Sequence, residues 1–592
     1  MGDLHGEHPL RRRRPRRGDV GPRHEPVPAL PRRLAHGAPP RLARRRRGRR
    51  RRVSVPRAAR ALDVLLALAG LVLAAALLTW RTALPAGPLT ALRPEDVVVA
   101  AAPLLAARWW LAPPRVGPAR PGRVVAIAVA AYAAVFSFVA VARHWSFRTH
   151  ALDLGQYAQN MYHLARGVPP VDTILGWHAW GNHLSPIFYP LAPLTLVLPG
   201  PAHLLVLQSV ALALGAVPVY LLARPRVGDR LAAALAALYL AHPSLHGINV
   251  RDFHPAALAV PLLLAAMWAA EAGRWPLFWG ATVLALATRE DAAIAVVGLG
   301  LWLALARRRP LLGAALAVAS VGWLFVAVHR VMPAFRDDGA YPYIAAHYAH
   351  LGTTLGEVLL SPLTRPLAVL GAVASWPRVT YVLALLAPLG FLPALAPVAS
   401  AGALPALAQN VLSDYPVLFW YRTQYQSFVL PFLVVGAVAG VERLARAPAP
   451  PWLARPRLRP GPVLAAAALA AIVLSARTVN ELAVSSWWPR PSLRAAHALL
   501  ARVPPGATVS AADPFFPHLY DRADVHLFPR ALPRSEWAVV RAADLGVRAP
   551  RGLEVRRDGD LVAFRPAGGG PVTMRVVGEA GDVLLLRRAG AQ

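Results

Sequence analysis

Three short polar clusters stand out in a chain that is 56% hydrophobic and only 16% charged. They contain, in chain order, Asp153, then Asp252 with His254, then the run Arg289-Glu290-Asp291. Carboxylates and imidazoles of this kind act as general bases toward a hydroxyl group, or hold a divalent cation against a phosphate. Neighbouring arginines bind phosphate oxygens by bidentate hydrogen bonds. The clusters therefore predict chemistry between a hydroxyl group and a phosphate-bearing group.

The first cluster directly follows a long apolar segment, residues 123 to 142. Asp153 is therefore expected at a membrane edge, where a carboxylate is costly unless it is paired or used. Steps of three and four residues lead from it to Gln156, Tyr157 and Asn160, which would share one face of a short helix. Gly167 and the two prolines after it end that helix. We predict an active-site helix at the membrane edge.

The other two clusters are expected on the same side of the membrane, together with the loops that carry His183 and Tyr421. Asp252 and His254 lie at the junction of two apolar segments, and Glu290 lies in a charged hairpin between two others. We predict Asp153, Asp252, His254 and Glu290 as catalytic. The predicted substrate-binding residues are Gln156, Tyr157, His183, Arg251, Arg289, Asp291, Tyr421 and Arg422.

Each prediction has a structural alternative. Asp153 is of a residue type that often caps a following helix. Asp252 and His254 would then pair with Arg251, and the Arg289-Glu290-Asp291 run would be an internal ion-pair cluster. A divalent cation, Mg²⁺ or Mn²⁺, has Asp153, Asp252 and His254 as candidate ligands. No HxxxH or HExxH spacing supports a histidine-ligated metal.

The composition predicts a polytopic membrane protein, since the mean hydropathy is +0.42 and apolar runs recur between short arginine-bearing loops. We predict thirteen membrane helices, at residues 58–80, 95–112, 123–142, 203–223, 231–248, 256–271, 274–289, 291–306, 311–331, 379–393, 394–410, 427–445 and 462–480. Residues 186–200, broken by four prolines, are interpreted as a re-entrant or interfacial piece.

The arginine distribution orients these helices. The formal net charge of +34 is concentrated in an N-terminal tail, residues 1–57, whose composition predicts disorder on the cytoplasmic side. Such a tail beside a membrane helix does not indicate a nucleic-acid partner, and none is expected. Thirteen spans then place the C-terminus, and the loops that carry the polar clusters, outside the cytoplasm.

Four regions follow from these patterns. After the tail come two accessory membrane helices within residues 58–122, and then a membrane domain at residues 123–484 with a long outer loop at 143–202. Residues 485–592 lose the long apolar runs, and β-prone pieces such as 508–510, 524–528 and 537–540 alternate with turn residues. They predict a small extracytoplasmic α/β domain.

The motifs Asp153-Leu-Gly-Gln-Tyr, His183-Leu-Ser-Pro186, Asp252-Phe-His-Pro255 and Glu290-Asp291 resemble the predicted membrane proteins called domain of unknown function 2079. Their layout in turn resembles the GT-C glycosyltransferases, multi-span enzymes with a catalytic acid in a long first outer loop. Asp153 matches that acid by position, and Asp252 and His254 match the second outer loop. The Asp-X-Asp or Glu-X-Asp pair of many such loops is absent here, and two extra spans precede the helix that would count as the first.

The resemblance implies a GT-C-like bacterial cytoplasmic-membrane enzyme that passes a sugar from a polyprenyl-phosphate carrier in the lipid bilayer to an extracytoplasmic acceptor. A transporter or lipid flippase is the alternative, and it predicts ionisable groups along a path across the membrane. A non-catalytic scaffold predicts three separate, individually paired clusters. Convergence of Asp153, Asp252 and Glu290 in one place would favour the enzyme.

Overall fold

A computed structural model describes residues 57–82, 91–112, 120–198, 200–339, 341, 343–446, 459–488, 490–522, 524–546, 548–567 and 569–590. The predicted tail, apart from Arg57, lies outside these residues.

Helices dominate the first 500 residues, and many begin with proline, whose fixed φ suits the first helical turn. The first thirteen are α1 Arg57–Thr79, α2 Pro94–Leu111, α3 Pro121–Trp145, α4 Gln156–Ala165, α5 Ala179–Asn182, α6 Phe188–Leu191, α7 Leu194–Val197, α8 Ala202–Leu214, α9 Ala216–Val227, α10 Asp229–Ala241, α11 Pro243–Val250, α12 Ala259–Glu271 and α13 Trp275–Leu286. The next thirteen are α14 Ala292–Leu305, α15 Pro310–Val326, α16 Tyr343–Tyr348, α17 Leu355–Thr364, α18 Pro366–Val373, α19 Trp376–Leu386, α20 Leu392–Leu395, α21 Pro397–Ser400, α22 Leu404–Val411, α23 Leu430–Arg446, α24 Pro460–Val479, α25 Val484–Trp487 and α26 Pro491–Leu500.

Five helices in the described part of the chain are long and apolar enough to cross a membrane, or seven if two bent pairs each count as one span. The five begin at Arg57, Pro121, Ala202, Pro310 and Pro460, and they match predicted spans. One bent pair, α10 with α11, coincides with the span predicted at 231–248. The number thirteen is not confirmed, because several predicted spans are apolar helices of only 10–17 residues.

The span predicted at 394–410 differs most from the structure. Its residues form three short helices, α20, α21 and α22, instead of one continuous helix. Pro393, Pro397 and Pro405 each lie in the first turn of one of them. A proline inside a helix removes a hydrogen bond and clashes with the preceding turn, so each proline starts a new helix. Residues 186–200 similarly contain only the four-residue helices α6 and α7.

The membrane domain has its main core around α10, α12, α14 and α23, whose apolar side chains are largely inaccessible. α23 is buried along most of its length. Polar side chains concentrate where these helices stop, in the turns that precede α4, α12 and α14. The membrane core thus places its polar groups at the helix ends, as the sequence predicted.

A seven-stranded mixed sheet follows the helices, which confirms the predicted C-terminal sheet domain. Its strands are β1 Thr508–Ala511, β2 Asp524–Leu527, β3 Trp537–Arg541, β4 Leu553–Asp558, β5 Leu561–Pro566, β6 Val572–Ala580 and β7 Val583–Arg588. Their order is β2-β1-β3-β7-β6-β5-β4. β1 is parallel to both β2 and β3, whereas β7 runs antiparallel to β3 and joins the two halves.

Candidate active site

Asp153 lies on a distorted turn between α3 and α4. Residues Ala151–Gly155 form a π-helical turn in which Asp153 has φ 75° and ψ −98°. Positive φ is uncommon for a residue with a Cβ atom, and such strain is held in place mainly at functional sites. The Asp153 side chain is 42% exposed, and no described side chain caps the start of α4. Helix capping therefore does not explain Asp153.

The nearest basic group to the Asp153 carboxylate is an imidazole from the second cluster. His254 Nε2 lies 3.2 Å from Asp153 Oδ2, and the His254 side chain is almost fully buried. Its other nitrogen, Nδ1, lies 2.9 Å from the backbone carbonyl of Asp252. A carbonyl oxygen only accepts hydrogen bonds, so Nδ1 carries a hydrogen and the ring orientation is fixed. Nε2 is therefore the nitrogen that faces Asp153.

Gln208 on α8 holds the segment that carries this imidazole. Its side-chain carbonyl accepts from the His254 backbone N–H at 2.9 Å. Its amide nitrogen lies 3.3 Å from the carbonyl oxygens of Ile248 and Asp252. A buried amide that bonds to several points of one turn makes that turn rigid. The short break between α11 and the next helix thus presents His254 at a fixed position.

Asp252 is a second, more deeply buried carboxylate of the same site. Its Oδ2 accepts from the backbone N–H of His150 at 2.9 Å, so it connects the second cluster to the start of the Asp153 turn. Burial first, and then the negative charge of Asp153, raise the pKa of Asp252 to about 6. Ionisation of both Asp153 and Asp252 costs free energy, because it places two negative charges in one site with little access to water. Asp252 does not form the ion pair with Arg251 that the structural alternative required.

The charge of Asp153 is better compensated. Burial raises its pKa, but electrostatic attraction to His254 first, and then to His183 and His150, outweighs burial and lowers the pKa overall. Asp153 is therefore ionised at neutral pH. It accepts a hydrogen bond from an incoming hydroxyl group, or stabilises positive charge, without prior loss of a proton.

The third cluster divides into two pairs. Glu290 accepts from His183 Nδ1 at 2.9 Å and from the backbone N–H of Leu184 at 3.1 Å, and it is buried. Arg289 is also buried, and it donates to both carboxylate oxygens of Asp291 at 2.6 and 2.5 Å. The ion-pair alternative thus describes Arg289 and Asp291, whereas Glu290 orients His183 from the long loop.

Tyr157 on α4 connects the three clusters. Its phenol is buried. Burial is the largest cause that raises its pKa, and the negative charge of Asp153 is the second; Arg289 lowers the pKa and Glu290 raises it by smaller amounts. Its ring packs against Phe253, inside the second cluster, with centroids 6.0 Å apart. The clusters therefore converge around one helix.

The remaining predicted residues make their contacts with groups other than Asp153 and His254. Gln156 is buried and donates to Asp172 at 2.9 Å. Arg251 stacks on Trp420 with its guanidinium carbon 4.6 Å from the ring centre. Tyr421 donates to a carbonyl of α24, and Arg422 to Thr478 on the same helix. Arg251 also interacts electrostatically with Asp153 and Asp252.

The C-terminal domain contributes a residue that the sequence analysis missed. Asp513, just after β1, accepts from the backbone N–H of Ala151 at 2.9 Å and lies 2.6 Å from His150 Nδ1. Phe516 packs on Gly155, where an added Cβ would lie 2.7 Å from the ring. Asp513 is more than 350 residues from its partners, so no spacing indicates the contact. The Asp153 turn is thus held from both domains.

A divalent cation finds few ligands here. Within the described residues, no group of three His, Cys, Asp or Glu side chains is arranged to hold a metal. Of the predicted ligands, Asp153 and His254 face each other, but Asp252 directs an oxygen at the backbone of His150. The three predicted ligands are therefore not arranged in this structure to hold one cation together.

A family model described as a predicted membrane protein, DUF2079, matches residues 143–543. The chain belongs to this family. The match includes Asp153, Asp252, His254, Glu290 and Asp513. No curated protein matches the sequence.

Solved structures give a partial likeness. ArnT from Cupriavidus metallidurans bound to undecaprenyl phosphate is 16% identical with a TM-score of 0.47, over 80% of this chain and 99% of that chain. The apo oligosaccharyltransferase of Archaeoglobus fulgidus is 13% identical with a TM-score of 0.43, over 72% of this chain and 70% of that chain.

Proposed function

We propose that this DUF2079 protein is a GT-C-type membrane glycosyltransferase that moves a sugar from a polyprenyl-phosphate carrier to an extracytoplasmic hydroxyl acceptor. The observation that carries the proposal is the half-exposed Asp153 carboxylate, on a strained turn and 3.2 Å from a fixed His254 nitrogen. A strained, accessible carboxylate beside an imidazole is typical of a catalytic base.

The geometry supports a simple reaction sequence. Asp153 accepts a hydrogen bond from the acceptor hydroxyl, whose oxygen attacks the anomeric carbon of the donor sugar. The bond between that carbon and the phosphate oxygen breaks, and the lipid phosphate leaves with the electron pair. The hydroxyl proton passes to the pair of Asp153 and His254. Arg251, which is close enough to Asp153 to interact with it, stabilises the leaving phosphate.

Convergence of the clusters favours this reaction over transport. His254 of the second cluster lies 3.2 Å from Asp153, and Asp252 accepts from the His150 backbone at the start of the Asp153 turn. A transporter would instead carry ionisable groups along a path through the membrane. Here the acids gather in turns at helix ends.

The test is turnover of a panel of polyprenyl-phosphate sugars by the full-length protein in nanodiscs, followed by release of lipid phosphate. The Asp153→Asn variant suits it, since asparagine tolerates positive φ and keeps the turn. We expect turnover to fall at least about 100-fold, the usual contribution of a general base. Asp229→Asn, at the exposed start of α10, is the matched control.

His254 tests the role of the partner nitrogen. Glutamine places an amide near the Nε2 position, and asparagine places one near the Nδ1 position. We expect His254→Gln to keep more turnover than His254→Asn. Equal turnover by the wild type and Asp153→Asn, or no turnover with any donor, would refute the proposed function.

A further inference from the structure

A cavity of about 770 Å³ lies beside the candidate active site, and arginine is the most frequent residue type in its wall. Eight arginines and only three carboxylates line it, an excess of five positive charges. Its volume is within the range of about 300–1,000 Å³ that is usual for ligand pockets. We call it the basic cavity.

Four of its arginines share two of the carboxylates. Glu481 is bound by Arg143 at 2.9 Å and by Arg148 at 2.7 Å. Glu95 lies 3.6 Å from Arg93 and 3.7 Å from Arg477. Each carboxylate balances one of its two arginines, so both clusters keep a net positive charge.

The other four arginines have no carboxylate partner in the described part of the chain. Arg81 and Arg251 stack on tryptophan rings. Arg422 and Arg490 donate to neutral oxygens, for example Thr478 and the Ser485 carbonyl. Burial, and then the charge of Arg143, also lower the pKa of Arg148. Of the four arginines without a carboxylate partner, Arg251 and Arg422 are partly buried, and such positive charge is costly unless an anion binds.

The wall of the basic cavity comes from separate parts of the chain. Trp80, Arg81, Arg93 and Glu95 belong to the ends of α1 and α2, which precede the family match. Asp582, between β6 and β7, follows it. Arg251, the neighbour of Asp252 in the chain, also lines the cavity. The accessory helices therefore contribute part of this wall.

We propose that the basic cavity binds a multivalent anion, a ligand with two or more phosphate groups. One phosphate monoester would leave most of the excess of five charges unbalanced, whereas a diphosphate or a longer anion balances more of it. Binding of this anion is independent of the proposed function, except that Arg251 takes part in both: it lines the cavity and stabilises the leaving phosphate.

Calorimetric titration of the full-length protein in detergent with inorganic pyrophosphate and with inorganic phosphate tests the proposal. We expect pyrophosphate to bind at least tenfold more tightly. The double variant Arg81→Gln/Arg477→Gln removes two exposed guanidiniums from the wall with little effect on packing. We expect it to weaken pyrophosphate binding about tenfold for each arginine.

The matched control is Arg556→Gln/Arg575→Gln, which removes the same charge from exposed positions on β4 and β6. It should leave the affinity unchanged. Equal affinity for phosphate and pyrophosphate, or an equal loss in both double variants, would overturn the proposal, because either result indicates unspecific attraction. Pyrophosphate binding is measured without a sugar donor or an acceptor, so failure of the transferase proposal and failure of this one are distinguishable.

A competition experiment identifies the source of the ligand. If a polyprenyl diphosphate displaces pyrophosphate and binds more tightly, the cavity takes a lipid headgroup. If only water-soluble diphosphates bind, it takes a soluble ligand. Either outcome supports the site. Failure of both to bind would refute it.

Discussion

Replacement of Asp252 by asparagine should stabilise the protein at alkaline pH while it impairs the site. The carboxylate is 5% exposed, and its pKa rises from 3.8 to about 6 on folding. The folded state therefore holds this proton more tightly than the unfolded chain. Asp252 therefore destabilises the folded state least at low pH. Its ionisation lowers the free energy of unfolding progressively as the pH rises through about 4 to about 6.

The size of the effect follows from the shift. Two pKa units correspond to about 3 kcal/mol, of which about 2 kcal/mol appears between about pH 4.5 and about pH 8. Asparagine keeps an oxygen for the His150 N–H and carries no charge, so it lacks this pH dependence. The stability of Asp252→Asn relative to the wild type should therefore increase by about 2 kcal/mol over that range.

Thermal unfolding of both proteins in the same detergent, at several pH values, measures this difference. Asp229→Asn, which removes an exposed carboxylate outside the site, is the control for the loss of one negative charge. Asp153→Asn should reduce the pH dependence in part, since the charge of Asp153 is the second cause of the shift. A difference between Asp252→Asn and the wild type that does not change with pH would refute the reasoning.

Three more substitutions test how the Asp153 turn is held. Gly155→Ala should destabilise by about 1–3 kcal/mol, seen as a lower midpoint of thermal unfolding, because its Cβ would meet Phe516 at 2.7 Å; unchanged stability would contradict the packing. Asp513→Asn should change the free energy of unfolding by less than about 1 kcal/mol, since the Asp513 side chain is 46% exposed. It should nevertheless lower donor turnover, because it weakens the contact that holds His150. Full turnover would show that the contact is dispensable. Glu290→Gln should cost about 1.5–3 kcal/mol, because buried charge-assisted hydrogen bonds are weakened, and a wild-type unfolding midpoint would exclude that role.

The membrane class and the strands could be predicted because they depend on local pattern. The spans at 123–142 and 462–480 are continuous apolar runs, and they are long helices in the structure. The strands predicted at 508–510, 524–528 and 537–540 also form. The run at 394–410 is just as apolar, but its prolines divide it. Hydropathy describes burial in lipid and does not reveal where a helix breaks.

The site was predicted as a set of residue types on one side, but not as a geometry. The pairing of Asp153 with His254 depends on how α8 holds the break after α11. Arg289 looked available for a phosphate, yet it is bound to Asp291 two residues away. The contacts of Asp513 cross two domains. The Asp513 contacts and the position of His254 depend on long-range packing, and the Arg289–Asp291 pair depends on the local side-chain conformation. Residue spacing in the sequence indicates none of the three.

The pairing of β3 with β7 has a consequence for anyone who shortens this chain. The family match ends at residue 543, two residues after β3, while β4 to β7 follow it. A fragment cut there would keep Asp513 and the parallel strands, but one side of β3 would expose its unpaired backbone amides and carbonyls. Such an open edge recruits strands from other molecules. The residues after 543 thus cover this edge of β3, and we expect their removal to favour association between copies of the chain.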